Sequence, residues 1–293
     1  MIDSVEAARR IYAEKLRSIT HMKSRGLFAA FASVPRERFV GPGPWRILDK
    51  SEHWTTEDAD PRRVYHDVLI ALDESKGINN GQPSLWAQFF DQLGVRVNDD
   101  VLHLGCGTGY YTAILAELVG PQGTITAVEV DEAIAERARA ALEPWPQVSV
   151  VHRDGSTGTF DPVNVIVASA GATHPIASWL AALKPDGKML FPLESTRGAG
   201  AMVLLHRMSA DNFEARLAFG IYFIAFSGAC DPIVGSHLCE ALQRDRGASV
   251  RSLRCDSHVH ETTCWLHGDG WCFSTCDPIP NPISNPIQHK SAA

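Results

Sequence analysis

The chain has 293 residues, 45% of them hydrophobic, and a formal charge of -7 from 27 Lys and Arg against 34 Asp and Glu. The acidic balance argues against a basic nucleic-acid-binding face, and no run of 18 apolar residues offers a membrane span. Seven cysteines in a chain of this size imply free thiols, not a disulfide scaffold.

Val5, Ala8, Ile11, Tyr12, Leu16 and Ile19 carry a three-to-four-residue apolar period, which predicts a helix. Leu27, Phe28, Phe31 and Val34 predict a second, ended by Pro35 because the residue before proline avoids the α region. Residues 41–63 are polar and rich in proline, and read as a long surface loop. From Asn98 the text alternates. Val101–Leu104 is a short apolar strand, and Tyr110–Leu118 is helical. Thr124–Val130 is a strand, Asp131–Leu142 a helix, and Val148–His152 and Val163–Ala168 are strands. Ile176–Leu183 is helical, and Lys188–Pro192 opens a further strand after Pro185-Asp186-Gly187. This order describes an α/β protein, a doubly wound, mostly parallel sheet with helices on both faces. Met202–Arg207 and Phe213–Phe226 read as strands and Leu238–Arg244 as a brief helix. Val250–Leu253, Cys264–Leu266 and Trp271–Phe273 read as strands, the last two turning at Gly268-Asp269-Gly270. In that hairpin Leu266 would oppose Cys272, and Cys264 would oppose Ser274. The resulting division is 1–97, helices and substrate-side loops; 98–205, the nucleotide-binding core; 206–276, a strand-rich extension of the same domain; and 277–293, a flexible Pro-rich tail.

Gly105-Cys106-Gly107-Thr108-Gly109 follows a strand and opens a helix, so its backbone can turn tightly beside a ligand. The next strand ends in Glu129, 24 residues after Gly105, where an acid can accept two hydrogen bonds from a ribose diol. A solvated strand-end acid is the plainer alternative. The loop lacks the Lys-Ser/Thr ending of an NTPase phosphate loop. Its last glycines are spaced G-x-G, not the G-x-x-G of a dinucleotide fingerprint, which favours S-adenosyl-L-methionine over NAD. Asp154-Gly155 ends the third strand at the same sheet edge. It reads as a contact to the adenine or as an ordinary Asp-Gly turn.

These features resemble class I S-adenosylmethionine-dependent methyltransferases, and more closely the protein-L-isoaspartate O-methyltransferase family. Val34-Pro35-Arg36-Glu37-Arg38-Phe39-Val40 is similar to the family's Pro-Arg-Glu-x-Phe-Val segment, and Tyr65 and Asp67 to its Tyr-x-Asp. Asn80-Gly81-Gln82-Pro83 stands where the family has Ser-Gln-Pro. The loop from Leu104 to Tyr110, Glu129, Arg153-Asp154-Gly155 and Leu183-Lys184-Pro185-Asp186-Gly187 follow the remaining motifs, so the resemblance spans residues 25–195. It implies a Rossmann-like fold, S-adenosyl-L-methionine as cofactor, and methylation of a carboxylate on a protein or peptide. One departure stands out: Gly81 replaces the serine that the family associates with the isoaspartyl site.

An ionised carboxylate needs little acid-base help to accept a methyl group, so positioning groups are expected and a nucleophile triad is not. The candidates are Tyr65, Asn80, Gln82 and Ser84, with His66 and Asn79 beside them; Gln82 is also placed against the cofactor. Cys106 is expected to pack without reacting. Cys255, His258, His260, Cys264, His267, Cys272 and Cys276 crowd the C-terminal region without a Cys-x2-Cys pair, and read as buried thiols with no metal. A nicotinamide-dependent oxidoreductase and a non-catalytic protein keeping a methyltransferase fold are the competing functions. No apolar leader follows the first charges, so a cytoplasmic location is expected, as is a monomer without nucleic-acid or membrane partners.

Overall fold

The computed structural model describes residues 4–49 and 52–278. Helix α1 (Val5–Thr20) starts where the Ser4 side chain accepts from the Ala7 N–H, and stops at His21 in the left-handed region. Its buried stripe of Ala8, Tyr12, Ala13 and Leu16 packs beside α2 (Arg25–Ser33), which Ser24 caps in the same way. Val34 is extended, as the following proline requires.

The 41–63 stretch is not wholly loop. It contains β1 (Arg46–Leu48) and β2 (His53–Thr55), which join β3 (Leu69–Asp73) and β4 (Ile78–Asn79) in a small sheet of order β2-β1-β3-β4. Three-residue strands are too short to show a period of two, which is why the sequence concealed them. Helix α3 (Pro83–Leu93) then begins on a proline, and the Asp67 carboxylate accepts from the Ser84 N–H at 2.7 Å.

Among the described residues the main sheet has ten strands. In chain order the elements are β5 (Asp100–Leu104), α4 (Tyr110–Val119), β6 (Thr124–Glu129), α5 (Glu132–Leu142), β7 (Val148–His152), β8 (Val163–Ala168), α6 (Ala177–Ala182) and β9 (Leu183–Leu193). There follow β10 (Gly200–Arg207), β11 (Asn212–Ile221), α7 (Pro232–Asp245), β12 (Ser252–Arg254), β13 (Cys264–Gly268) and β14 (Trp271–Ser274). The spatial order is β13-β14-β12-β11-β10-β9-β8-β5-β6-β7. The β7-β6-β5-β8-β9 run is parallel and the rest antiparallel. Strands β6 and β7 lie to one side of β5 and β8 to the other, so the order reverses there. The crevice beyond the carboxyl ends of β5 and β8 is the place where such sheets bind ligands.

Three boundaries and one strand register differ most from the sequence reading. Strand β9 begins at Leu183 and absorbs Pro185-Asp186-Gly187 in a register irregularity, with Val163 opposite Leu183 but Val165 opposite Lys188. Strand β11 ends at Ile221, short of Phe226. Helix α7 starts at Pro232, six residues early, because the Asp231 carboxylate accepts from the Ile233 and Val234 N–H groups. A register shift in the last hairpin places Leu266 opposite Phe273, so Cys272 faces His267 instead of Leu266, while Cys264 does face Ser274. Of the tail expected over 277–293, all but 277 and 278 lie outside the described residues. Among the described residues no helix is long and apolar enough to cross a membrane.

Candidate active site

A cleft of about 510 Å³ opens at the switch point. Its floor is the glycine loop. The Gly105 and Cys106 N–H groups both donate to the Val128 carbonyl, at 2.8 and 3.0 Å, tying the loop to the end of β6. A side chain at Gly109 would sit 2.6 Å from Leu142 Cδ1, so that glycine permits close packing on α5; beside Gly107 the space is open. Thr108 lines the cleft, but its hydroxyl donates to the Phe39 carbonyl at 2.6 Å. Cys106 is buried, burial pushes its thiol well up, and its sulfur reaches only the Gly107 carbonyl.

Glu129 is 7% exposed and lines the same cleft. One oxygen accepts from the Gly107 N–H at 2.9 Å; the other accepts from Val130 and Asp131, at 2.9 and 3.1 Å. Three backbone donors therefore fix a carboxylate that has about four acceptor sites. Gly155 lines the cleft, and its carbonyl accepts from Trp179 Nε1 at 2.8 Å. Asp154 is not among the lining residues. Its carboxylate accepts from the Ser156 N–H and hydroxyl, at 2.8 and 2.7 Å, the ordinary turn chemistry of this dipeptide.

The expected positioning residues divide. Asn80 and Gln82 line the cleft, and Ser84 and Tyr65 do not. Tyr65 is buried; its hydroxyl donates to Glu37 and accepts from Arg9 Nε, fastening α1 to the segment before β3. Ser84 contributes its backbone N–H to the α3 cap, and its hydroxyl accepts from Gln82 Nε2 at 3.3 Å. Asn79 lines the cleft and its side chain accepts from the Gly81 N–H at 2.9 Å. Gly81 has φ +70°, and a Cβ there would fall 2.6 Å from Trp86 Nε1 and 3.1 Å from Tyr111 Cε2. The Tyr111 hydroxyl donates to the Gly81 carbonyl at 3.0 Å, and the Trp86 and Tyr111 rings lie 5.2 Å apart. Trp86 therefore takes up the space that a side chain at position 81 would need.

Two contributors escaped the sequence reading. After β11 the chain crosses the end of β8: Gly171 N–H donates to Ile224 O at 2.8 Å, and Phe226 N–H to Gly171 O at 2.7 Å. Residues 220–227 thus form one wall of the cleft. The cluster of Tyr222, Phe223 and Phe226 was the available signal, absorbed into an overlong strand. The second is His103 on β5. It is fully buried between Thr112 Oγ1 and the cleft-lining Ser169 Oγ, each at 2.8 Å, and burial holds its pKa down to about 3. Below pH 6.5 the unfolded chain binds a proton that the folded chain refuses, so stability falls with pH until about 3. At pH 5 this amounts to about 2 kcal/mol at 1.36 kcal/mol per unit. Urea midpoints taken from pH 7 to 5 should fall, and the fall should shrink in His103→Gln; an equal fall in both proteins would discount this histidine.

Comparison with known proteins agrees with this geometry. Residues 10–230 match the family model described as Protein-L-isoaspartate(D-aspartate) O-methyltransferase (PCMT). A protein-L-isoaspartate O-methyltransferase of Methanothermobacter thermautotrophicus is 30% identical over 233 residues, 78% of this chain and 96% of that protein. The Aeropyrum pernix protein of the same name is 28% identical, over 80% of this chain and 82% of its own length. A solved protein-L-isoaspartate O-methyltransferase superposes with TM-score 0.62 at 26% identity, covering 80% of this chain and 69% of that one. A Plasmodium falciparum structure described as a complex with S-adenosyl-L-homocysteine shares the fold, with TM-score 0.60 at 12% identity over 75% of this chain and 98% of that one.

The cleft fits S-adenosyl-L-methionine: it offers an open backbone face at Gly107, an anchored acid at Glu129 and apolar walls from Val128, Ile221 and Phe226. This sets aside the oxidoreductase and non-catalytic readings. The chain belongs to the protein-L-isoaspartate(D-aspartate) O-methyltransferase family and is an S-adenosyl-L-methionine-dependent methyltransferase.

Proposed function

We propose that this enzyme methylates a carboxylate on a protein or peptide, with an acceptor pocket altered from that of an isoaspartyl repair enzyme. The observation that carries the reading is the pairing of Gly81 with Trp86: the backbone at 81 is left-handed, and the indole lies where a side chain would project. No hydroxyl comes from that position, and the ring narrows the space.

Bound S-adenosyl-L-methionine supplies an electrophilic methyl group on a sulfonium. The acceptor is ionised near neutral pH, since a carboxyl pKa is about 4, so the residues need only orient it and exclude water. Gln82 is the polar group best placed for this. Its Nε2 is steadied by Asp67 at 3.2 Å and by Ser84 at 3.3 Å. Tyr111 is kept protonated by burial and stays committed to the Gly81 carbonyl. Leu85 and Phe223 lie beside Trp86 and Tyr111 on the cleft wall and shield the acceptor from solvent.

The test is mass spectrometry of candidate peptides incubated with the methyl donor, scoring the mass of one added methylene that mild base removes. Generic isoaspartyl peptides should react weakly, and a carboxylate in a particular sequence context should be preferred. Gly81→Ser alone should lose about 1–3 kcal/mol of folding stability, as overpacked side chains do, and gain no isoaspartyl turnover. The double change Gly81→Ser with Trp86→Leu relieves the contact with the indole, leaving the milder one with Tyr111, and should gain it. Efficient turnover of many unrelated isoaspartyl peptides by the unaltered enzyme would defeat the altered-pocket reading.

A further inference from the structure

The C-terminal hairpin gathers four side chains that methyl transfer does not use. His258 lies on the connection from β12 to β13, Cys264 and His267 on β13, and Cys272 on β14. One ligand-type atom from each lies within 4.8 Å of all the others. The spacing His-x5-Cys-x2-His-x4-Cys lacks a familiar metal signature, so the sequence reading gave no metal. Topology supplies what spacing does not. In a regular strand Cys264 and His267, three residues apart, face opposite sides. Here Cys264 pairs with Ser274, Leu266 with Phe273 and His267 with Cys272. Strand β13 therefore carries one extra residue, a bulge at Trp265. The bulge turns Cys264 onto the face that His267 and Cys272 share.

The local hydrogen bonds prepare the set for coordination. His258 Nδ1 lies 2.9 Å from the Asp256 carbonyl and 3.6 Å from its carboxylate, which aims Nε2 at Cys264 Sγ, 3.6 Å away. Ligating imidazoles are characteristically held in this way through their other nitrogen. Cys264 Sγ accepts from the Glu261 N–H at 3.4 Å. His267 Nδ1 is buried and has no hydrogen-bond partner, an uncompensated cost that a metal bond removes. The His258 and His267 rings stand 4.9 Å apart at 76°, edge to face.

We propose that His258, Cys264, His267 and Cys272 bind one structural zinc ion, which clamps the β13–β14 hairpin and the β12–β13 connection at the edge of the main sheet. Neighbouring ligand atoms around tetrahedral zinc lie about 3.3–3.8 Å apart, given bonds of about 2.0–2.3 Å. Small side-chain rotations close the present spread. Both thiols release their protons on binding, and the two thiolates balance the charge of the ion, with both imidazoles neutral. Four protein ligands leave no open position, so the ion is structural and does not activate water. His260 lies outside the four, its ring 5.7 Å from that of His267.

Metal analysis of the full-length, tag-free protein after gel filtration without chelator should give one zinc per chain. X-ray absorption should give two sulfurs at about 2.3 Å and two nitrogens at about 2.0–2.1 Å. Cys272→Ser and His258→Ala should weaken zinc binding at least about ten-fold, while His260→Ala keeps full occupancy. Binding of S-adenosylhomocysteine to those variants reports separately on the methyl-transfer cleft. If ligand variants do not fold, the metal content and absorption spectrum of the unaltered protein decide alone. Substoichiometric zinc after loading the reduced protein, or a Cys264–Cys272 disulfide in freshly purified protein, would overturn the proposal.

Discussion

Arg36→Met should cost about 3–5 kcal/mol of folding stability, because several buried neutral acceptors lose their donor at once, at about 1–3 kcal/mol each. Arg36 is fully buried. Its Nη1 donates to the carbonyls of Val64 and His66, at 2.7 and 2.6 Å, and its Nη2 to the Val68 carbonyl and Asn80 Oδ1, at 2.7 and 3.1 Å. The Tyr12 and Tyr110 rings lie 5.9 Å from its guanidinium carbon. One cation thus gathers the dipoles of residues 64–68 and of Asn80. Methionine fills most of the volume and leaves these acceptors short of a donor inside the protein, where each unmet group costs about 1–3 kcal/mol. Denaturant midpoints measure the loss directly. A fall below about 1 kcal/mol would mean that water replaces the guanidinium, contrary to its burial. The Asn80-Gly81-Gln82 strap should loosen in the same variant, so cofactor affinity is expected to drop with stability.

Glu129→Ala should weaken S-adenosylhomocysteine binding roughly ten- to a hundred-fold, the equivalent of about 1.5–3 kcal/mol for a hydrogen bond to a charged group. The carboxylate is expected to do more than accept from the ribose, because it holds the Gly107, Val130 and Asp131 amides together. Glu129→Gln is informative for the same reason. A glutamine must turn its NH2 toward at least one of those N–H groups, so it should also bind less tightly despite its matching shape. Calorimetry on folded variants checks both. Unchanged affinity in Glu129→Ala would remove this residue from the ribose site.

The parts of the fold legible in the sequence are those whose signals are local. The apolar strands from Val101 to Ala168 and the glycine loop announce a parallel sheet, because strands covered on both faces must be apolar throughout. That Gly105, Gly107 and Glu129 line the cleft follows from sheet position alone. What stayed hidden depends on partners far along the chain. Tyr65 belongs to a motif, yet its hydroxyl is spent on Arg9 and Glu37, which no spacing reveals. Ser84 is a positioning candidate in the sequence, but the helix start claims its backbone for Asp67 and its hydroxyl accepts from Gln82. The wall at 220–227 requires knowing that the chain leaves β11 early to reach Gly171. The hairpin bulge at Trp265 reverses which side chains share a face, and a period-two reading cannot anticipate it.

The hydrogen bond from Thr108 to the Phe39 carbonyl, at 2.6 Å, has a neighbour: Arg38 Nε donates to the Ala141 carbonyl at 2.7 Å. Together they stitch the segment after α2 to the cofactor loop and to the end of α5. Order in that segment and binding of the cofactor are therefore expected to be coupled, and coupling is reciprocal. Whatever steadies the glycine turn makes residues 36–40 harder to peel away. A macromolecule that pulled those residues loose would lower cofactor affinity by the same factor without touching the cleft. The N-terminal segment is in this sense an expected handle on the methyl-donor site.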